Sequence, residues 1–408
     1  MRLLMVVQSY FPFQERGGPV VKVRALAQSL SALGHRVTVL TADLGLANYV
    51  AKGFAAEKAR FGWQAWEGGV EAIYLPTLAH YRDITLNPNV IGFCRASLRE
   101  FQLVHFFGLY DTIGPIVSVF CRRYRIPYVV EPMGMYRPID RGFKLKRLWH
   151  RNLGDSYLKR ASYLIATSEM EQQELVEDGV PAEKVLIRYN GVDRDAPATQ
   201  PPPGSFRAKY RISPDEPLVL FLSRLIPRKG ADILIDAFAR VCPRSGFLAI
   251  AGPEGDPAYV AGLKKRAADL GIASRVLFTG PLYDAAKTAA LQDATVFALP
   301  SRYENFANVA AEAMVHSVPV IVSDACGIRS LVEHRAGLVV APETEALTQA
   351  LAKLLSDPAL YSKFQEGCRA VTDELSWDSL AEKMDGYYLR TVERTPGGAA
   401  APSPAGPS

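Results

Sequence analysis

PLVLFLSRLIPRKGADILIDAFARV, residues 217–241, sets the architecture. Leu218–Leu222 is an unbroken apolar run between Pro217 and a polar loop, the pattern of a strand covered on both faces. From Ala231 the chain takes helical spacing, so strand, short loop and helix follow one another within 25 residues. Repetition of that unit implies a parallel sheet with helices on both faces.

The unit does repeat. Downstream come GFLAIAG, a helix from Pro257, RVLFTG, a short helix, TVFALPS, a helix near Phe306, VPVIVSD and GLVVAP. Upstream, DAPATQPPPGSFRAKYRISPDEP has no period and reads as a boundary. Before it the rhythm runs through RLLMVVQ, a loop with Gly17 and Gly18, a helix ending in Gly34, HRVTVLTA, VEAIYL, LVHFF, PYVV and SYLIAT. The fold class expected is α/β, with two Rossmann-like doubly wound domains facing across a cleft. The boundaries expected are 1–190, a linker at 191–214, 215–375, a C-terminal helix at 376–394 that crosses back to the first domain, and a disordered tail at 395–408. Ligands of open parallel sheets bind beyond the carboxyl ends of the strands, which makes the loops after strands the informative ones.

A chain of 408 residues exceeds one ordinary core, and 49% hydrophobic with 22% charged residues is a globular balance. Leu3–Val7 is too short for a secretory core, and no uncharged stretch approaches a membrane span. Cysteines 94, 121, 242, 326 and 368 are odd in number and form no CxxC, which reads as reduced cytosolic thiols without a zinc site. Charge is uneven. Residues 1–190 hold 24 Lys and Arg against 17 Asp and Glu, a balance of +7 in a chain whose total is +5, so the first half favours an anionic partner.

SRYENFANVAAEAM, residues 301–314, places Glu304 before a helix start and Glu312 inside the helix. A helix beginning near Phe306 leaves the N–H groups of Phe306, Ala307 and Asn308 without intrahelical acceptors, at the positive end of the helix dipole. That is an anion site. A carboxylate roughly 6 Å from a phosphate costs about 2–3 kcal/mol at an effective dielectric near 20. Carboxylates are, however, good acceptors for ribose and sugar hydroxyls. Acids beside an anion site therefore imply a ligand carrying both phosphates and hydroxyls, and they demand cations nearby. Arg224 and Lys229, in the loop after Leu222, are the candidates.

SRLIPRKG followed by SRYENFANVAAEAMVHSVPVIVSD resembles the retaining glycosyltransferases of family 4, the group-1 transferases with the GT-B fold. That family carries Arg and Lys in GRLxxxKG and an E-x7-E signature, here Glu304 and Glu312. The likeness extends through the GGP loop, AGPEG, LFTG and NGVD. It implies that Arg224 and Lys229 hold the diphosphate of a nucleotide-sugar and that Glu312 binds ribose hydroxyls. Glu304 and the backbone of Asn305, Phe306, Ala307, Asn308 and Val309 would hold donor sugar and phosphates. Backbone at Leu282 would meet the base, and Gly17 and Gly18 would lie beneath the phosphates and sugar. Glycine is usual where Asn305, Ala307 and Ser317 stand, and the change at Ala307 reads as the mildest. LVHFFG matches a segment that commonly reads HxHG, with His105 at the first histidine and Phe107 in place of the second.

On the acceptor side, His105 reads equally as a catalytic group or a core histidine. Glu131, after YVV, reads as an acid facing the acceptor or as a structural acid. The segment 141–160 holds seven Lys and Arg against Asp155 alone, interleaved with Trp149 and leucines. It is either a solvated helix face or a basic amphipathic element against anionic lipid. The second reading suits a saccharide or lipid-linked saccharide acceptor and a cytoplasmic protein peripheral on the inner membrane face. Asp193-Arg194-Asp195 spells DxD, yet no metal, cofactor or nucleic-acid partner is expected, because Arg224, Lys229 and the helix start can neutralise a diphosphate. The activity expected is sugar transfer from a nucleotide-diphosphate-sugar to an acceptor hydroxyl, with retention implied by the resemblance. The alternatives are a sugar-nucleotide epimerase or a non-catalytic nucleotide-sugar-binding subunit. No GxGxxG follows the first strand, which argues against a nicotinamide enzyme.

Overall fold

A computed structural model describes residues 1–81, 84–137, 155–193, 200–242 and 245–394. The chain divides into two compact units, Met1–Tyr189 with Trp377–Ser408, and Asn190–Ser376. In the first unit the strands are β1 (Arg2–Val7), β2 (Arg36–Ala42), β3 (Glu57–Ala59), β4 (Gly62–Glu67), β5 (Val70–Leu75), β6 (Ala79–Tyr81), β7 (Ile84–Leu86), β8 (Leu103–Phe107), β9 (Tyr128–Glu131), β10 (Tyr163–Ala166) and β11 (Val185–Ile187). Nine of them form one sheet in the order β11-β10-β9-β8-β1-β2-β5-β4-β3, parallel from β11 to β5 and antiparallel at β4 and β3. Strands β6 and β7 pair separately.

Successive residues of β1 enter opposite cores. Leu4 and Val6 pack with Val104 and Phe106, whereas Leu3, Met5 and Val7 pack with Leu103 and Phe107. Covering both faces is why RLLMVV reads as an unbroken apolar run. The helix Gly18–Ala32 supplies Val23, Leu26, Ala27 and Leu30 to the second core, and the C-terminal helix Trp377–Glu393 adds Ala381, Met384 and Tyr388 to it. That last helix thus belongs to the first unit, although the intervening chain forms the second.

The second unit holds β12 (Leu218–Leu222), β13 (Phe247–Ala251), β14 (Val276–Gly280), β15 (Val296–Leu299), β16 (Val320–Ser323) and β17 (Gly337–Val340), all parallel in the order β14-β13-β12-β15-β16-β17. Strand order reverses between β12 and β15 here, and between β1 and β8 in the first unit. These reversals are where open α/β sheets bind ligands. The loops SRLIPRKG and SRYEN emerge on either side of the β12/β15 reversal. No helix among the described residues is long and apolar enough to cross a membrane.

The boundary expected at 191–214 extends too far. Ser205–Tyr210 is a helix, and Phe206 and Ile212 are buried. The Asp293 carboxylate accepts from the backbone N–H groups of Gly204, Phe206 and Arg207 at 2.7, 2.8 and 3.1 Å. A cap contributed from far along the chain leaves no local period, so this helix escaped the pattern. The tail at 395–408, residues Arg194 and Asp195 of the DxD, and most of the basic segment 141–160 lie outside the described residues.

Candidate functional site

The second unit builds its site from three loops tied together by backbone. After β12, Ser223 N donates to Ala251 O and Leu225 N to Pro253 O, joining the Arg224 loop to AGPEG. The join requires close approach. A Cβ on Gly252 would lie 1.9 Å from Ser223 O, and one on Gly255 would meet the Arg224 side chain at 3.0 Å. Pro227–Lys229 forms a single 3-10 turn, and Gly230 follows at φ +75°. A Cβ on Gly230 would sit 2.1 Å from Pro300 O, so both conformation and space demand glycine. Arg302 then staples the loop after β15 to this turn, its N–H donating to Arg228 O at 2.8 Å and its guanidinium pairing with Asp232 at 2.8 Å. A fourth segment, after β16, closes the set: Glu304 N donates to Ala325 O, and Gly327 N to Glu304 O, both at 2.9 Å.

These staples bring Lys229 and Glu304 into direct contact, the ammonium donating to Glu304 Oε2. Lys229 is 10% exposed and Glu304 21%. Glu312 is paired as well, with Lys287 Nζ 2.5 Å from its Oε2. Lys287 lies on the helix Asp284–Asp293, which follows β14 and the half-buried Leu282. Sequence reading missed this lysine, since DAAKTAALQD carries no motif. Arg224 is exposed and makes no ion pair among the described residues. The demand for cations beside two acids is met by one lysine for each acid, with Arg224 left over.

The helix start differs from expectation. The helix is Asn308–Val315, not one that begins near Phe306, and Ala307 caps it at φ +80°. Phe306 is buried and its carbonyl accepts from Ile328 N at 3.0 Å. Ala310 N already donates to Ala307 O at 3.0 Å. The donors left open by position are therefore those of Ala307, Asn308 and Val309. Asn308 is exposed, Val309 and Asn305 half-buried. The left-handed Ala307 also corrects the ranking of the departures. It stands where only glycine is unstrained, at a cost of about 1 kcal/mol, so it is not the mildest change. Asn305 has no such conformation. Ser317, at φ +57°, occupies the αL position of a Schellman ending: Ser317 N donates to Met314 O at 2.9 Å and Val318 N to Ala313 O at 3.2 Å.

In the first unit, Gly17 takes φ +89° and Gly18 opens the helix Gly18–Ala32, both exposed just beyond β1. His105 and Glu131 are not presented to an acceptor; both are buried. Glu131 is fully enclosed, with Lys22 on Oε1 and Arg188 Nη2 on Oε2 at 2.5 Å. Burial alone would raise its pKa, but Arg188 and then Lys22 outweigh burial and hold the carboxyl at about 2. Burial lowers Lys22 to about 8 against the pull of Glu131. His105 Nδ1 lies 2.7 Å from Tyr388 Oη, its ring stacks on Phe107 at 3.9 Å, and burial lowers its pKa to about 3. It is a neutral core histidine. Phe107, where a second histidine would stand, is its packing partner. Lys22 had a legible signal, a lysine four residues before Leu26 on an apolar helix face. Arg188, ending the apolar run VLI, had a weaker one. Among the described residues no group of three or more His, Cys, Asp or Glu could hold a metal ion.

A fold of two doubly wound units, with an anion-ready helix start flanked by paired acids and lysines, is that of a GT-B glycosyltransferase. The chain belongs to the group-1, family-4 glycosyltransferases. Residues 204–371 match the family described as "Glycosyl transferases group 1", and residues 17–191 match the "Glycosyl transferase 4-like domain". A D-inositol 3-phosphate glycosyltransferase of Jonesia denitrificans is 29% identical over 249 residues, 58% of this chain and 59% of its own length. A GDP-mannose-dependent alpha-(1-6)-phosphatidylinositol monomannoside mannosyltransferase of Mycobacterium tuberculosis is 35% identical over 217 residues, 50% of this chain and 55% of its own. The chain thus covers less than two thirds of these curated relatives. Anabaena HepE in complex with UDP superposes with a TM-score of 0.73 at 21% identity, over 96% of this chain and 100% of that one. That likeness shows the fold.

Proposed function

We propose that this protein transfers a sugar from a nucleotide-diphosphate donor to an acceptor hydroxyl. The observation that carries the reading is the Lys229–Glu304 contact, formed by the two loops that flank the β12/β15 reversal. Lys229 and Arg224 take the diphosphate, with the N–H groups of Asn308 and Val309 on the same anion. Charge that develops on the leaving phosphate as the anomeric bond breaks is stabilised by these groups. Glu304 and Asn305 accept from donor-sugar hydroxyls, Glu312 from ribose, and the Leu282 backbone meets the base. Transfer retains configuration by a front-face route in which the leaving phosphate assists removal of the acceptor proton. The acceptor is a saccharide or lipid-linked saccharide, met at the cytoplasmic face of a membrane through 141–160. The Mycobacterium relative carries phosphatidylinositol monomannoside in its name, which supports a lipid-linked class.

The test is a thermal-shift screen of nucleoside diphosphates and nucleotide-sugars, followed by nucleoside-diphosphate release assays with candidate acceptors. A binding nucleotide at 100 times its Kd raises stability by about 2.7 kcal/mol. Lys229→Ala should abolish most turnover while leaving the fold intact. Full turnover in that variant ends the phosphate assignment. Interconversion of nucleotide-sugars without an acceptor would instead mark an epimerase.

A further inference from the structure

Two acids beside a diphosphate pose a problem that the second unit answers with two lysines. Glu304 has Lys229; Glu312 has Lys287 at 2.5 Å, with the two side chains 29% and 31% exposed on the lysine and acid sides. We infer that Lys287 is a positioning residue of the nucleotide site. It neutralises Glu312 so that a carboxylate able to accept from two ribose hydroxyls can stand next to a pyrophosphate. The inference rests on the donor reading above.

Three features favour this role over a chance surface pair. Glu312 is on the second turn of the helix Asn308–Val315, and side chains on a helix lean toward its start, the end that takes the anion. Lys287 is on the first turn of the helix that follows Leu282, so it approaches the ribose position from the base side. The set also carries a net positive charge only with it. Glu304 and Glu312 cancel Lys229 and Lys287, which leaves Arg224 as surplus cation for the ligand. Without Lys287 the same set would be neutral. An unpaired carboxylate roughly 6 Å from a phosphate, at an effective dielectric near 20 and discounted for partial exposure, weakens diphosphate binding by about 10- to 50-fold.

The experiment is a double-mutant cycle read by calorimetric titration of uridine, UDP, guanosine and GDP into wild type, Lys287→Met, Glu312→Gln and the double variant. Lys287→Met should bind the preferred diphosphate about 10- to 50-fold more weakly and the matching nucleoside within about 3-fold of wild type. In the Glu312→Gln background, where no carboxylate remains to neutralise, the same substitution should cost less than about 3-fold. The loss in Lys287→Met should also shrink as salt is raised, which a packing role would not produce. Wild-type affinity in Lys287→Met overturns the inference. So do equal losses in both backgrounds, which would mean a direct phosphate contact, and equal losses for nucleoside and diphosphate. A wild-type protein that binds no nucleoside diphosphate sinks the donor reading itself, a result distinct from any of these.

Discussion

Glu131→Gln isolates the energetics of the buried network in the first unit. Glu131 faces Lys22 and Arg188 with all three side chains almost fully enclosed. The guanidinium already has Nε and Nη1 buried without hydrogen-bond partners, so it depends on this carboxylate. The change keeps shape and removes one charge, leaving two buried cations short of a counter-ion. Breaking such a pair costs about 3–5 kcal/mol. For a unit of this size that is a fall in melting temperature of about 6–20 °C. The acid branch gives a second measure. The folded-state pKa of about 2 lies below the ordinary 4.5, so Glu131 contributes stability that is fully present above the ordinary value and is lost as pH falls through 4.5 toward 2. The depression corresponds to about 3 kcal/mol. Calorimetry or urea melts of both proteins at pH 7 and pH 3 test this. Wild type should lose more stability than Glu131→Gln on acidification. The triple variant with Lys22→Met and Arg188→Met should recover much of the loss, because an apolar replacement of a whole buried network is tolerated. A Glu131→Gln melting point within about 2 °C of wild type, together with an unchanged acid profile, would refute the reasoning.

Other outcomes follow from the second unit. Ser317→Gly and Ala307→Gly each relieve a left-handed backbone and should stabilise by up to about 1 kcal/mol, seen as a rise of about 2–4 °C; a fall at both positions would contradict the strain. Gly230→Ala must move Pro300 and with it the loop carrying Glu304, so nucleotide binding should drop at least tenfold with a loss of about 3 kcal/mol or more. An Ala variant with native affinity would show that the loops are less tightly tied than described. Asp293→Asn leaves the donors at 204–207 with a weaker acceptor and should cost about 1–2 kcal/mol in melts.

Much of the fold was legible because its signals are local. A strand covered on both faces must be apolar throughout, and a helix on such a sheet must repeat its apolar residues with helical spacing, so LVLFL and RLLMVV could hardly be anything else. The meeting of SRYEN and SRLIPRKG was legible for a related reason: acids grouped at a helix start demand cations nearby, and Lys229 meets Glu304. Other partners were not. Lys287 reaches Glu312 across 25 residues and Asp293 caps a helix almost 90 residues earlier, distances over which sequence pattern carries no pairing information.

The amino-acid order by itself determined the alternation of strand and helix, the apolar faces, and which loops carry acids and cations. Tertiary structure alone decided which charges are matched and which are buried. Glu131 and His105 stand directly at or near strand ends, where a ligand could have met them, yet burial and two cations from other segments make them part of the core. Ionic partnership depends on distances of a few ångströms and on exclusion of water, and both are set only when remote segments pack together.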